Sequence, residues 1–148
     1  MKIVVISGYF NPLHVGHLDY ISSAKRLGDM LVVIVNNDKQ VTIKGSEPFM
    51  KEQDRFRIIS SLKDVDYTYL STDEDSSVAD SLLSVYYLFK DSTGFKSMTF
   101  ANGGDRKQGD IPEVEVCERL GIEHVYGIGG EKVESSSSLL HKSKIRGV

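Results

Sequence analysis

The sequence predicts an α/β domain over residues 1–148, a doubly wound, five-stranded parallel sheet with helices on both faces. Three observations predict it. A strand pattern followed by a helix pattern recurs along the chain, in an order that fits five such units. The first two strands, Ile3-Val4-Val5-Ile6 and Met30 to Val35, are apolar at nearly every position, as in strands covered on both faces. Glycine-bearing polar loops follow the first and fourth strands, where open parallel sheets reverse their winding and take ligands.

The first strand leads into Gly8-Tyr9-Phe10-Asn11-Pro12-Leu13-His14-Val15-Gly16-His17 and then into a helix. His17, Tyr20, Ile21 and Ala24 recur at i, i+3, i+4 and i+7, so they share its inward stripe, and Gly28 is the expected C-cap. The second strand leaves through Asn36-Asn37-Asp38. Residues 39–50, with Lys39, Lys44, Gly45 and Pro48, read as a flap. Lys51 to Lys63 is helical by period, with Arg55 in register with Ile58, Ile59 and Leu62 and Arg57 on the surface. Asp66 to Leu70 is the third strand, and Val78 to Phe89 an amphipathic helix with Val78, Leu82, Val85, Tyr86 and Phe89 on one stripe. The fourth strand, Ser97 to Ala101, enters Asn102-Gly103-Gly104-Asp105-Arg106. Pro112 opens a helix that turns Val116, Cys117 and Leu120 inward and stops at Gly121. His124-Val125-Tyr126 is the last strand, with His124 in a structural role. The serines at 135–138, just before Leu139-Leu140, have the composition of a helix N-terminus.

Composition narrows the partners. A net charge of −3 argues against a general binder of nucleic acid or of anionic membranes, so any basic site is local and the expected partner is a small molecule. No apolar stretch approaches the roughly 20 residues that span a bilayer, and residues 1–7 are too short for a signal peptide's apolar region. A cytoplasmic protein is expected. The single cysteine, Cys117, excludes an internal disulfide and a cysteine-built zinc site, and its helical position favours packing.

A buried strand, a tight loop and a helix start place backbone N–H groups and a positive dipole end in one cleft, which suits an anion. Gly8 and Gly16 allow close backbone approach, and Pro12 stiffens the loop between them. His14 and His17, three residues apart, face the same way at the helix start, where two imidazoles suit negative charge developing on phosphorus. The plainer alternative makes His14 a cap and His17 a satisfied side chain. Arg55 likewise reads as an anion clamp or a snorkelling stem, Asp38 as a ligand group or a turn former, and Lys44 as a phosphate contact or a solvated cation.

These residues carry a resemblance. His14-Val15-Gly16-His17, preceded by Gly8-Tyr9-Phe10-Asn11 and followed by Ala24-Lys25-Arg26-Leu27-Gly28-Asp29 and by Leu31 to Asp38, resembles the HxGH nucleotidyltransferases of the cytidylyltransferase-like branch, which have a Rossmann-like fold. Lys44-Gly45 followed by Pro48 resembles heptose-phosphate adenylyltransferases. Gly103-Gly104-Asp105 resembles their nucleotide loop and that of glycerol-phosphate cytidylyltransferases, and Ser136-Ser137-Ser138-Leu139 resembles pantetheine-phosphate adenylyltransferases. The resemblance implies that His14, His17 and Lys44 are catalytic. It implies nucleotide binding by Gly8, Tyr9, Phe10, Asn11, Gly16, Gly103, Gly104, Asp105, Arg106, Ser136, Ser137 and Ser138, and acceptor or phosphate binding by Asp38, Lys44, Arg55 and Lys132.

The implied reaction moves a nucleoside monophosphate from CTP or ATP to a small phosphorylated acceptor, a sugar phosphate or a polyol phosphate such as glycerol 3-phosphate, and releases pyrophosphate. Mg2+ would come with the triphosphate rather than on dedicated protein ligands. Relatives form two-fold dimers, and the run Tyr86, Tyr87, Leu88, Phe89 has more rings than one core face can take, so a homodimer is expected. Alternatives are an adenylyltransferase of coenzyme biosynthesis, of the nicotinamide-mononucleotide or pantetheine-phosphate type, and a nonenzymatic nucleotide sensor. A dinucleotide oxidoreductase would need a G-x-G-x-x-G turn after the first strand, and that turn is absent.

Overall fold

Ile3, Val4, Val5 and Ile6 are all buried, which places the first strand, β1 (Lys2–Gly8), at the centre of a sheet. The computed structural model describes residues 1–103 and 112–129. After β1 come α1 (Val15–Lys25), β2 (Met30–Val35), α2 (Asp38–Ile43), α3 (Glu52–Ser60), β3 (Tyr67–Leu70), α4 (Ala79–Phe89), β4 (Ser97–Gly103), α5 (Glu113–Leu120) and β5 (Glu123–Ile128). The five strands are parallel and ordered β3-β2-β1-β4-β5, so the winding reverses between β1 and β4. The predicted α/β, Rossmann-like, doubly wound sheet is the observed one.

Alternation along the central strands divides the core in two. Ile3 and Val5 of β1, with Val32, Ile34, Met98 and Phe100, pack against Val78, Leu82 and Val85 at α4 and Val116 and Cys117 of α5. Val4 and Ile6, with Leu31, Val33, Val35 and Ala101, pack against Ile21 and Ala24 of α1 and Ile59 of α3. Burial pushes the Cys117 thiol up to about 11, helped by Glu113 and Glu118, so it is an inert packing group. No helix among the described residues is long and apolar enough to cross a membrane.

Two local expectations are corrected. The segment read as a flap begins with a helix, α2, because Asn37 and Gln40 form a capping box: Gln40 N–H donates to Asn37 Oδ1 at 2.9 Å and Asn37 N–H donates to Gln40 Oε1 at 3.0 Å. Gln40, fully buried, also donates to the carbonyls of Asp75 and Ser77. The first helix ends at Lys25 with Arg26 as a right-handed cap, so Gly28 is not its cap. A Cβ on Gly28 would lie 2.8 Å from the Lys2 carbonyl oxygen, so glycine is required there by close approach to β1.

Candidate active site

The carboxyl end of β1 and the first turn of α1 build the centre of the site. His14 is the N-cap of α1 in extended conformation, and its Nδ1 accepts from Gly16 N–H at 3.1 Å. His17, at the third helical position, accepts from His14 N–H through its own Nδ1, also at 3.1 Å. The two rings stack with centroids 3.8 Å apart and planes 28° from parallel. Each Nδ1 accepts, so in the neutral ring the proton sits on Nε2, and both histidines offer an N–H donor. Both plain readings of these residues hold, and they orient the pair: the capping bonds fix which nitrogen is left for a ligand.

His17 is held neutral. Its pKa falls from 6.5 to about 4, through burial first and then the charges of His14 and Lys44. Behind it, the Phe10 ring meets the His17 ring edge-on at a centroid distance of 5.1 Å. Phe10 is buried and adopts a φ of 51°, a left-handed conformation rare for a bulky residue and characteristic of constrained functional loops. Gly8 makes that possible, since a Cβ there would stand 2.6 Å from the Phe10 ring. Both residues, expected at the nucleotide, act in the structure as support for His17, and Phe10 is too buried to present its ring to a ligand.

Lys44 caps the carboxyl end of α2, and its ammonium lies 4.3 Å from the centre of the Tyr9 ring. The structure thus brings His14, His17, Lys44, Tyr9 and Gly16 together. Asn11 is a staple: its Nδ2 donates to Glu47 O at 2.9 Å, and its Oδ1 accepts from the N–H groups of Phe49 at 2.7 Å and Met50 at 3.2 Å. It ties the β1 loop to the segment after α2.

Arg55 is buried among the loops around the site. Its side chain is 0% exposed, and four hydrogen bonds hold it: Nε donates to Met50 O, Nη1 to Tyr9 O and Asn36 O, and Nη2 to Asp38 Oδ1 at 2.6 Å. A guanidinium enclosed in this way is held chiefly by the fold's own carbonyls and by Asp38. Asp38 is drawn into the same ion pair. The pair locks the loops after β1 and β2 to each other and to the segment entering α3.

Gly103 ends β4 against α1, where a Cβ would lie 3.0 Å from Ile128 O and 3.1 Å from the Tyr20 ring. Tyr20, not singled out as a site residue by its helical stripe, donates its hydroxyl to Ala101 O at 2.8 Å and joins the β4 exit to the histidine helix. Gly104, Asp105, Arg106, Lys132, Ser136, Ser137 and Ser138 lie outside the described residues. Among the described residues there is no group of three or more His, Cys, Asp or Glu able to hold a metal ion. Imidazole and ammonium donors do not match the oxygen ligands that magnesium prefers.

A family model described as Cytidylyltransferase-like matches residues 5–137. An FAD synthase from Ferroglobus placidus is 45% identical over 75 residues, 51% of this chain and 49% of that protein. A bifunctional protein HldE from Desulfatibacillum aliphaticivorans is 32% identical over 123 residues, 81% of this chain and 22% of that protein. The alignments thus span about half the length of the FAD synthases and less of the bifunctional protein. Among solved structures, a lipopolysaccharide core biosynthesis protein from Thermoplasma volcanium superposes with a TM-score of 0.64 at 30% identity, covering 86% of this chain and 96% of that one.

Proposed function

The chain belongs to the cytidylyltransferase-like family, and on that premise we propose that it transfers a nucleoside monophosphate from CTP or ATP to a small phosphorylated acceptor, releasing pyrophosphate. The observation that carries this reading is the stacked histidine pair, whose Nδ1 atoms are both engaged by backbone N–H groups. An acceptor phosphate oxygen attacks the α-phosphorus as the bond to the bridging oxygen of pyrophosphate breaks, with no covalent enzyme intermediate. The Nε2–H groups of His14 and His17 donate to the phosphoryl oxygens as charge builds, and the Lys44 ammonium adds positive charge beside them. Catalysis is then positioning and preorganised electrostatics, as expected where little covalent work falls to the protein. Magnesium arrives as part of the nucleotide substrate.

Asp105 and Arg106, with the serines at 136–138 and Lys132, are proposed to complete the nucleotide and phosphate contacts, as the family pattern implies. For the acceptor, a sugar or polyol phosphate follows from the motifs, while the FAD synthase relatives favour a second reading, adenylylation of a flavin phosphate. The test is a matrix of ATP and CTP against glycerol 3-phosphate, heptose phosphate, phosphocholine and flavin mononucleotide, scored by pyrophosphate release. One productive pair is expected. Nucleotide binding with no release on any acceptor would replace the enzyme with a nucleotide sensor.

A further inference from the structure

β4 and β5 do not end in step. Ala101 pairs with Val125 but Gly103 pairs with Ile128, so β5 carries one extra residue at this point, and Gly127 within it has a φ of 72°. Such a bulge bends a strand and re-aims its end. Here it lays the end of β5 against α1: a Cβ on Gly129 would stand 3.0 Å from Tyr20 Cα, as one on Gly103 would crowd the Tyr20 ring. Tyr20 lies one turn after His17 on the same helix. The bulged register therefore sets where the β4 exit stands relative to the histidine pair.

On the other face of these strands, a line of side chains crosses the bulge. Asn102, buried between Ala101 and Gly103, is hydrogen-bonded through Oδ1 to His124 Nε2, and Tyr126 Oη lies 3.2 Å from His124 Nδ1. Oδ1 only accepts, so His124 Nε2 carries the proton and Nδ1 accepts from the Tyr126 hydroxyl. Burial lowers the His124 pKa and keeps the ring in the one-donor, one-acceptor form that this line needs. The His124 ring also packs on Phe100 and Tyr126, with centroids at 5.4 and 4.4 Å. Val114, Cys117, Glu118 and Ile122 lie beside His124 and Tyr126 on the α5 side.

We propose that Tyr126, His124 and Asn102 are positioning residues for the nucleotide, holding the β4 exit in the bulged register that sets Gly103 against the histidine helix. This rests on the nucleotidyl-transfer reading above. Replacing His124 by Leu leaves Asn102 without its donor. Nucleotide Kd and KM should then rise about tenfold, with the acceptor KM unchanged within about twofold, from the usual cost of orphaning a buried polar group. His124→Gln, which keeps a side-chain N–H near Asn102, should recover most of the loss. Tyr126→Phe removes one hydroxyl and should weaken nucleotide binding in the same direction, and it decides the matter if the Leu variant fails to fold.

The measurements are direct titration with ATP and with CTP, steady-state kinetics for both substrates, and a circular dichroism melt of each variant. Variants that fold and bind the parent's nucleotide equally well overturn the proposal alone. So does an equal rise in both KM values, or a failure of Gln to outperform Leu. A parent chain that binds neither nucleotide overturns the nucleotidyl-transfer reading and this proposal with it.

Discussion

Each histidine of the pair spends its Nδ1 on the helix start, and on the proposed reaction its Nε2–H meets the substrate. His17→Ala should therefore lower turnover about 10²-fold or more, the scale of loss when one preorganised donor to developing charge is removed. His14→Ala should act similarly with a larger rise in nucleotide KM, measured in the same pyrophosphate assay. The lowered His17 pKa predicts a pH dependence of stability. Above pH 6.5 the ring is neutral both folded and unfolded. As pH falls from 6.5 to about 4, the unfolded chain takes up a proton that the folded site refuses, so stability is lost across that window and the loss levels off below it. Urea midpoints against pH for the parent and His17→Ala should separate there, and parallel curves would refute a neutral, buried His17. Arg55 gives the opposite kind of prediction. Arg55→Ala leaves Asp38 and three carbonyls without their donor, so the expected effect is a loss of about 3 kcal/mol or more in urea unfolding. An intact midpoint with only a raised KM would restore it as a phosphate ligand.

At the scale of elements, α1 and α2 face the site with opposite ends. α1 presents its N-terminus through His14, Gly16 and His17, whereas α2 ends at Lys44, whose ammonium sits over Tyr9. Lys44 is exposed. Lys44→Met should raise the KM for nucleotide or phosphorylated acceptor while the thermal midpoint stays within a degree or two, as is usual for surface substitutions. Substrate titrations matching the parent would remove Lys44 from the site. The helix carrying Lys44 was open to reading from Asn37-x-x-Gln40, but the lysines, glycine and proline around it gave the stretch the composition of a loop. The strands were easier, because near-continuous burial leaves a run of β-branched residues with no other use.

At the scale of the whole molecule, β3 is an edge strand among the described residues, and it and the neighbouring helix α4 carry aromatic side chains. Tyr67 is 41% exposed and packs edge-on against Phe89 at 5.4 Å, while Tyr87 and Leu88 on α4 are 55% and 53% exposed. Tyr86 and Phe89 turn toward the core, so the aromatic run splits between core and surface as its spacing requires. We expect this surface to meet a second copy of the chain about a two-fold axis. Light scattering at micromolar concentration should give twice the 16.5 kDa chain mass, and Tyr87→Ser with Leu88→Ser should return it to one chain. A parent at the single-chain mass would eliminate the dimer.

The sequence by itself determined the sheet, the histidine loop and the helix that receives it, because periodicity, glycine placement and the His-x-Gly-His spacing are local and each residue's neighbours along the chain define its geometry. Only the tertiary structure decided what Arg55, Asn11 and Phe10 do. Arg55 lies on an inward stripe, which the sequence shows, but the groups that consume its donors come from Tyr9, Asn36, Asp38 and Met50, brought from three separate stretches. Asn11 is likewise spent on Glu47, Phe49 and Met50. A polar side chain aimed toward a cleft serves a ligand only if the fold leaves its hydrogen bonds unmade, and that is settled by which distant backbone groups the packing sets beside it.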